Sequence, residues 1–144
     1  GFFLLNNVPF NELISASWRI NENLPLYLLQ KIKQKINLKN KTAAILGMAF
    51  KKNIDDTRNS LSFKLKKALI REQCNVVCHD PNIEEFNTDL NDVLQDVDLV
   101  FIAMNHDEYV PLTKNKLKQY VNKDCIICDL WNIADGGKII YSLE

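Results

Sequence analysis

The sequence predicts an α/β fold in which helices cover both faces of a parallel sheet, a three-layer αβα arrangement preceded by a long or kinked N-terminal helix. Short, wholly apolar runs alternate along the chain with segments whose apolar residues recur every three or four positions. The first pattern is typical of strands buried on both faces, and the second of amphipathic helices. The 144 residues fit one compact domain with an accessory helix. We therefore assign residues 1–38 to a helical segment and residues 39–144 to the sheet domain.

The N-terminal helix is predicted over residues 9–36. Its apolar positions recur at three- and four-residue steps, as on one face of a helix: Leu13, Ile14, Trp18, Leu24, Leu28 and Ile32. Pro25 lies inside this pattern, and a proline removes a backbone donor and clashes with the preceding turn. We therefore expect either two helices, the second beginning near Leu24, or one kinked helix.

The elements of the sheet domain follow in alternation. Residues 43–46 form an apolar run ended by Gly47, and Ser60 is a candidate N-cap for a helix to about residue 73. Further strands are predicted at residues 76–78, 98–103 and 125–130, with a candidate fifth at 138–141, and shorter helices at 90–95 and 114–121. Such alternation implies right-handed crossovers and the strand order 2-1-3-4.

This Rossmann-like arrangement also predicts where a ligand binds. In such sheets ligands lie beyond the carboxyl ends of the strands, at the point where the winding changes direction. The loops after the first, third and fourth strands are therefore the expected ligand loops.

Charge and hydropathy restrict the classes of partner. The chain has 18 Lys+Arg and 18 Asp+Glu, so its formal net charge is zero, and it has no apolar run of membrane-spanning length. These properties argue against nucleic-acid and membrane partners. The charges are nevertheless sorted: residues 31–52 hold seven lysines and no acid, whereas residues 72–108 hold ten acids and no Lys or Arg. We interpret the acidic run as solvated helix faces.

Four cysteines occur, at positions 74, 78, 125 and 128, and the last two form a C-x-x-C pattern. On a strand, residues three apart point to opposite faces, so Cys125 and Cys128 cannot easily hold one zinc ion. No helix N-terminus is predicted there to activate a redox pair. We interpret them as buried thiols, which suit a reducing compartment and predict a cytoplasmic protein.

The loop after the first strand, GMAFKKNIDDTRNS at residues 47–60, carries the most chemistry. A dinucleotide fold would place G-x-G-x-x-G here, but only Gly47 is present. Lys51 and Arg58, beside a helix N-terminus, suit an anion such as phosphate. Arg58 can pair with Asp55 or Asp56 and stiffen the loop, or Asp56 can cap the helix. In the simpler interpretation these charges only build the turn.

Residues 45–60 resemble the G-x-A-F-K…D-D-x-R-x-S signature that opens the C-terminal domain of the UDP-glucose/GDP-mannose dehydrogenase family. Further segments are similar to the family in the same order: H-D-P at residues 79–81, H-D-E-Y at 106–109 and C-D-L-W-N at 128–132. Upstream, I-N-E-N-L-P at residues 20–25 resembles part of the central helix that joins the family's two domains and pairs its subunits.

The resemblance implies the UDP-sugar-binding domain of an NAD-dependent nucleotide-sugar 6-dehydrogenase, which oxidises C6 of a UDP-sugar twice, from alcohol to carboxylate. It assigns Phe50 and Lys51 to the UDP-sugar site, Arg58 to holding the loop, and Asn132 to a weaker substrate contact. No catalytic residue is assigned, because the family's nucleophile motif G-G-x-C-x-x-x-D does not occur here. NAD is expected to bind the missing N-terminal domain, and this polypeptide alone is expected to be inactive. The same resemblance predicts a homodimer through residues 9–36.

Two segments distinguish this chain within the resemblance. Trp131 stands where the family often has an arginine that reaches the substrate, and tryptophan, with one N–H donor, cannot pair with a phosphate. The His106 segment is more similar to members that use UDP-N-acetylhexosamines than to those that use UDP-glucose. For His106 itself we favour a loop-packing role over a chemical one.

Three other functions compete with this interpretation. In the first, the chain is a non-catalytic interaction domain whose apolar helix at residues 9–36 is a dimerisation surface. In the second, it is a complete NAD-binding domain in which Asp80 holds a ribose hydroxyl, although the missing glycines oppose this. In the third, it is a phosphoacceptor receiver domain, although Asp55 and Asp56 lie too far beyond the first strand.

Overall fold

The computed structural model describes residues 11–143. Its helices are α1 (Glu12–Lys33), α2 (Leu61–Arg71), α3 (Leu90–Leu94) and α4 (Lys114–Leu117), and its strands are β1 (Thr42–Leu46), β2 (Asn75–His79), β3 (Leu99–Ile102), β4 (Ile126–Asp129) and β5 (Ile140–Ser142). Two 3-10 turns lie at Glu84–Phe86 and Asp107–Tyr109. The predicted elements are all present, with ends that differ by a few residues; α4, for example, ends four residues before the predicted position 121.

The five strands form one sheet in the order β2-β1-β3-β4-β5. β1 pairs in parallel with β2 and with β3, and β3 with β4, which confirms the predicted order. β5 runs antiparallel to β4, so the sheet is mixed rather than wholly parallel. Only residues 130–139 separate these two strands, and a parallel return needs a crossover of about a dozen residues or more.

Both faces of the sheet are covered, so the three-layer arrangement is confirmed. Ala43 and Ile45 of β1 face a core built with α1 and α2, which contribute Leu28, Leu29, Ile32, Leu65 and Leu69. Ala44 and Leu46 face the opposite core, built with Leu94, Tyr109, Leu112 and Leu117. β1, β3 and β4 are therefore apolar at nearly every position, because each residue is buried on one side or the other.

Helix α1 is continuous from Glu12 to Lys33 and passes through Pro25, so the expectation of two separate helices is wrong. A proline inside a helix costs about 3 kcal/mol. Leu28, Leu29 and Ile32 are nearly or fully buried against the sheet domain, and burial of each such side chain contributes about 1.5–3 kcal/mol. Packing of the C-terminal half therefore outweighs the cost of the proline. Residues 9 and 10 of the predicted helix lie outside the described residues.

The two thiols of the C-x-x-C pattern lie on opposite sides of the sheet, as predicted. Cys128 belongs to the core shared with α1 and α2, and Cys125 to the opposite core. Burial raises the pKa of each thiol to about 12. Within residues 11–143 no cluster of three or more His, Cys, Asp or Glu side chains is arranged to hold a metal ion. No helix in the same range has the length and apolar character needed to cross a bilayer. The boundary between residues 38 and 39 stays a prediction.

Candidate functional site

The loop that follows β1 begins with a glycine that no other residue can replace. Gly47 has a φ of +97°, a conformation that side chains with a Cβ rarely adopt. A Cβ at this position would collide with the backbone and Cβ of Met104 at the end of β3. Gly47 therefore lets the loop leave β1 directly across the carboxyl end of its neighbouring strand.

A buried carboxylate holds the first residues of this loop. Asp80, which follows β2, is fully buried, and its Oδ2 accepts hydrogen bonds from the backbone N–H groups of Met48 (2.7 Å) and Ala49 (2.8 Å). Its Oδ1 accepts a third from the N–H of Asn82 at 3.0 Å. The carboxylate thus occupies backbone donors at the strand end where a dinucleotide fold binds pyrophosphate.

This arrangement opposes the alternative of a complete NAD-binding domain. In that alternative Asp80 would hold a ribose hydroxyl, but its carboxylate is buried and engaged with the protein's own backbone. The two N–H groups that follow Gly47 are no longer available to a phosphate, and the further glycines are absent. The described residues therefore do not fit NAD.

His106 connects the same carboxylate to the middle of the loop. Its Nε2 lies 3.1 Å from Asp80 Oδ2, and its Nδ1 accepts a hydrogen bond of 2.9 Å from the backbone N–H of Asn53. Because Nδ1 is an acceptor, the proton of a neutral ring must lie on Nε2, where it is donated to Asp80. His106 is fully buried and bonded to the loop at Asn53, which supports the expected loop-packing role.

The turn at Asp107–Tyr109 holds the loop from outside. Asn53 exchanges two hydrogen bonds with Asp107: its Nδ2 donates to Asp107 Oδ2 at 2.6 Å, and its Oδ1 accepts from the Asp107 N–H at 3.1 Å. Lys52 forms an ion pair with the same carboxylate. The hydrogen bonds from Lys52 and Asn53 lower the pKa of Asp107. One of the two lysines in the loop is therefore used to build it.

Asp56 and Arg58 close the far side of the loop. The sequence allowed Arg58 to pair with Asp55 or Asp56, and the structure shows the pair with Asp56. Arg58 Nε and Nη2 each donate a 2.9 Å hydrogen bond to a different oxygen of Asp56. These bonds lower the pKa of Asp56 to about 2. The Asp56 carbonyl also accepts from the N–H of Phe50 at 2.7 Å. Asp56 does not cap α2, because Ser60 does so through its Oγ and the N–H of Ser62.

Phe50 and Lys51 lie at the exposed tip of this braced loop. Phe50 is 45% exposed, and the Lys51 ammonium lies 5.8 Å from the centre of its ring, within the range of a cation–π contact. In contrast to Lys52, Lys51 has no carboxylate at ion-pair distance among the residues that the structure describes. The loop therefore presents one ammonium group and one aromatic face to solvent at the carboxyl edge of the sheet.

The loop after β4 lies at the same carboxyl edge of the sheet. Asp129, also buried, accepts hydrogen bonds from the N–H groups of Trp131 (3.1 Å) and Ala134 (2.8 Å). Asn132 has a φ of +54°, and its Oδ1 accepts from the N–H of Gly137, which closes the loop. Trp131 is 49% exposed, and its Nε1 donates to the carbonyl of Ala103 at the end of β3.

The structure therefore brings Phe50, Lys51 and Arg58 together on one loop and places Asn132 on a second loop at the same edge of the sheet. Two residues were not identified from the sequence as parts of the site. They are Asp80, the carboxylate beneath the loop after β1, and Asp129, the last residue of β4, which plays the same part for the next loop. Both are acids directly at the end of a short apolar strand, and that position was the signal available in the sequence.

The reversed winding at β1 and the cationic loop at its carboxyl end define a class of protein: a Rossmann-like nucleotide-binding domain without the dinucleotide glycines. The model of one protein family, the UDP binding domain of the UDP-glucose/GDP-mannose dehydrogenase family, matches residues 44–136, well over half of the chain. The chain belongs to this family.

Individual relatives agree with the family. The chain is 32% identical over 139 residues to the UDP-N-acetyl-D-mannosamine dehydrogenase of Methanocaldococcus jannaschii, a match that covers 93% of this chain and 33% of that protein. The solved structure of UDP-D-ManNAc dehydrogenase from Pyrococcus horikoshii aligns with a TM-score of 0.74 and 30% identity over 88% of this chain and 31% of the other. Cap5O from Staphylococcus aureus, a UDP-N-acetyl-mannosamine dehydrogenase, gives 0.73 and 28% over 88% and 32%. The chain spans about a third of the length of the curated relatives it matches.

Proposed function

We propose that this chain binds a UDP-sugar at the carboxyl edge of its sheet, with the Lys51 ammonium on the diphosphate. The observation that carries the proposal is that Lys51, unlike its neighbour Lys52, forms no ion pair with a carboxylate of the described residues, on a loop that the rest of the domain holds in place. Phe50 lines the same tip, Arg58 keeps the loop closed through Asp56, and Asn132 faces the ligand from the loop after β4.

We infer that the whole protein is an NAD-dependent UDP-sugar 6-dehydrogenase that converts a UDP-sugar to a UDP-uronate by two oxidations at C6. The substrate class is a UDP-N-acetylhexosamine, an inference supported by the names of the relatives and by the H-D-E-Y segment at residues 106–109. The described residues do not fit NAD, so NAD and the catalytic groups belong to an N-terminal domain that this domain contacts. The residues of this chain bind and orient the nucleotide-sugar. All four cysteines are free, and Cys74, Cys125 and Cys128 are buried, which supports a reducing, cytoplasmic location.

The direct test replaces Lys51 by alanine and measures UDP binding by protein-observed NMR titration, which also reports weak dissociation constants. A charge-assisted hydrogen bond to phosphate contributes about 1.5–3 kcal/mol, so Kd should rise by about 10- to 150-fold. Lys39→Ala is the matched control, because Lys39 is an exposed lysine just before β1, at the opposite edge of the sheet. Equal Kd values for Lys51→Ala and the control would refute the role of Lys51, and a wild-type chain that does not bind UDP would refute the proposed function.

We further propose that the protein forms a homodimer through the helix at residues 9–36. Within the described part of this helix, Leu13, Ile20 and Tyr27 are exposed and recur every seven residues, so they form one stripe on its surface. Only the C-terminal half of α1 is covered by the sheet domain. A second copy of the same helix would bury this stripe. The helix also contains the I-N-E-N-L-P segment, which resembles part of the family's subunit-pairing central helix.

A further inference from the structure

Trp131 is the largest aromatic side chain on the loops of the candidate site, and two hydrogen bonds hold it in place. Its backbone N–H donates to the buried Asp129 at 3.1 Å, and its indole Nε1 donates to the carbonyl of Ala103 at 3.0 Å. The ring is therefore fixed over the end of β3, the strand that lies between β1 and β4. It is nevertheless 49% exposed to solvent.

Because the single polar atom of the indole is already engaged with Ala103, the exposed part of Trp131 offers aromatic ring surface and no further hydrogen-bond donor. Exposed aromatic surface at a ligand edge favours a flat ring, and a base stacks on such a surface whatever its hydrogen-bonding edge. Of the parts of a UDP-sugar, only the uracil is a flat ring.

The strand order places the loops that carry Lys51 and Trp131 at one edge of the sheet. Neighbouring strands lie about 4.8 Å apart, so the ends of β1 and β4, separated by β3, are about 10 Å apart. In UDP the ribose separates the base from the diphosphate. With the diphosphate on Lys51, the base can therefore lie against the loop after β4.

The part of the ligand that lies against this domain follows from the family. The family model that matches residues 44–136 describes a UDP binding domain. The uridine end of the ligand is therefore expected to lie against this domain. We propose that Trp131 is a specificity-determining residue that stacks on the uracil ring. This inference rests on the proposed function.

The experiment follows the intrinsic tryptophan fluorescence of the 144-residue chain during titration with UDP, with UMP and with inorganic pyrophosphate. Stacking of uracil on the indole should quench the emission with UDP and UMP, whereas pyrophosphate should leave it unchanged. The chain has two tryptophans, so Trp131→Phe serves as the control: it keeps a stacking ring and removes the reporter. In that variant the quenching should disappear, while the Kd for UDP, measured by NMR, should stay within about threefold.

Trp131→Ala removes the ring altogether, and its Kd for UDP should rise by about 5- to 150-fold. Its circular dichroism spectrum and thermal midpoint establish that the variant is folded. If UDP binds the wild-type chain but Trp131→Ala binds equally well, or if no quenching occurs, stacking is refuted while the proposed function stands. Quenching by a UDP-N-acetylhexosamine but not by UDP would refute the inference by assigning the ring to the sugar. A wild-type chain that does not bind UDP by NMR would overturn both.

Discussion

At the scale of single residues, the candidate site is shaped by buried carboxylates that satisfy backbone donors. Asp80 accepts three backbone N–H groups and the Nε2–H of His106, and it is completely shielded from solvent. A buried charge is tolerated only where hydrogen bonds replace its hydration. By holding Met48 and Ala49, Asp80 determines the direction in which the loop leaves β1. The position of Lys51, three residues further, depends on it.

We predict that Asp80→Asn lowers the free energy of unfolding by about 2–4 kcal/mol. The amide has the same shape, but its NH₂ group faces donors and leaves at least one buried N–H without an acceptor. Urea denaturation followed by circular dichroism measures the change. Asp124→Asn is the control, because Asp124 is exposed and its replacement should change stability by less than about 0.5 kcal/mol. An Asp80→Asn protein as stable as this control would contradict the assigned role of the carboxylate.

At the scale of secondary-structure elements, helix α1 has two halves with different surroundings. The C-terminal half buries Leu28, Leu29 and Ile32 in the core of the sheet domain. The N-terminal half leaves Leu13 and Ile20 at 79% and 73% exposure. The apolar periodicity of the helix is continuous, but the sheet domain covers only part of it, and the remainder is the surface that the proposed dimer would bury.

We predict that the double variant Leu13→Glu/Ile20→Glu is monomeric under conditions in which the wild-type chain sediments as a dimer, because it places like charges on a self-complementary apolar surface. Sedimentation velocity over a range of protein concentrations measures the change. The control is Gln119→Glu, which adds a charge at an exposed position just after α4 and should leave the dimer intact, because α4 packs on the face of the sheet opposite α1. A wild-type chain that stays monomeric at every concentration would contradict the dimer surface.

At the scale of the whole molecule, a buried histidine links the sheet to the turn that holds the ligand loop. His79, the last residue of β2, is fully buried, and its Nδ1 lies 2.8 Å from the hydroxyl of Tyr109, which donates to the His79 carbonyl. Its Nε2 has no hydrogen-bond partner in the described part of the chain and lies 3.7 Å from Glu108 Oε1. Burial is the main cause that lowers the pKa of His79 below its ordinary value of 6.5.

This lowered pKa predicts a pH dependence of folding. Between the native pKa and 6.5 the unfolded chain binds more protons than the native chain, so stability rises with pH in that window. The contribution is complete above about pH 6.5 and is lost as pH falls through the native pKa. The free energy of unfolding, measured in urea at about pH 7.5 and about pH 5.5, should therefore fall on acidification, and it should fall less in His79→Asn, which keeps a donor toward Tyr109. Equal pH dependence in the two proteins would contradict the assignment.

Local patterns in the sequence were sufficient for much of the fold and for part of the site. The apolar runs predicted the strands β1 to β4, Ser60 was identified as the cap of α2, and the cationic loop was identified from Gly47 to Arg58. Each of these features depends on residues close together in the chain, because periodicity, capping and strand burial are properties of short segments.

Other features were decided only by contacts between distant parts of the chain. The Asp80 bonds to Met48 and Ala49 span more than 30 residues, and the bond from Asn53 to His106 spans 53. Neighbouring elements likewise determine the antiparallel direction of β5, the continuity of α1 through Pro25 and the anchoring of Trp131 on Ala103. The sequence by itself determined which segments form strands and helices and which loop is cationic. Tertiary structure alone determined which backbone donors the Asp80 carboxylate satisfies, because a hydrogen bond between distant residues leaves no local pattern.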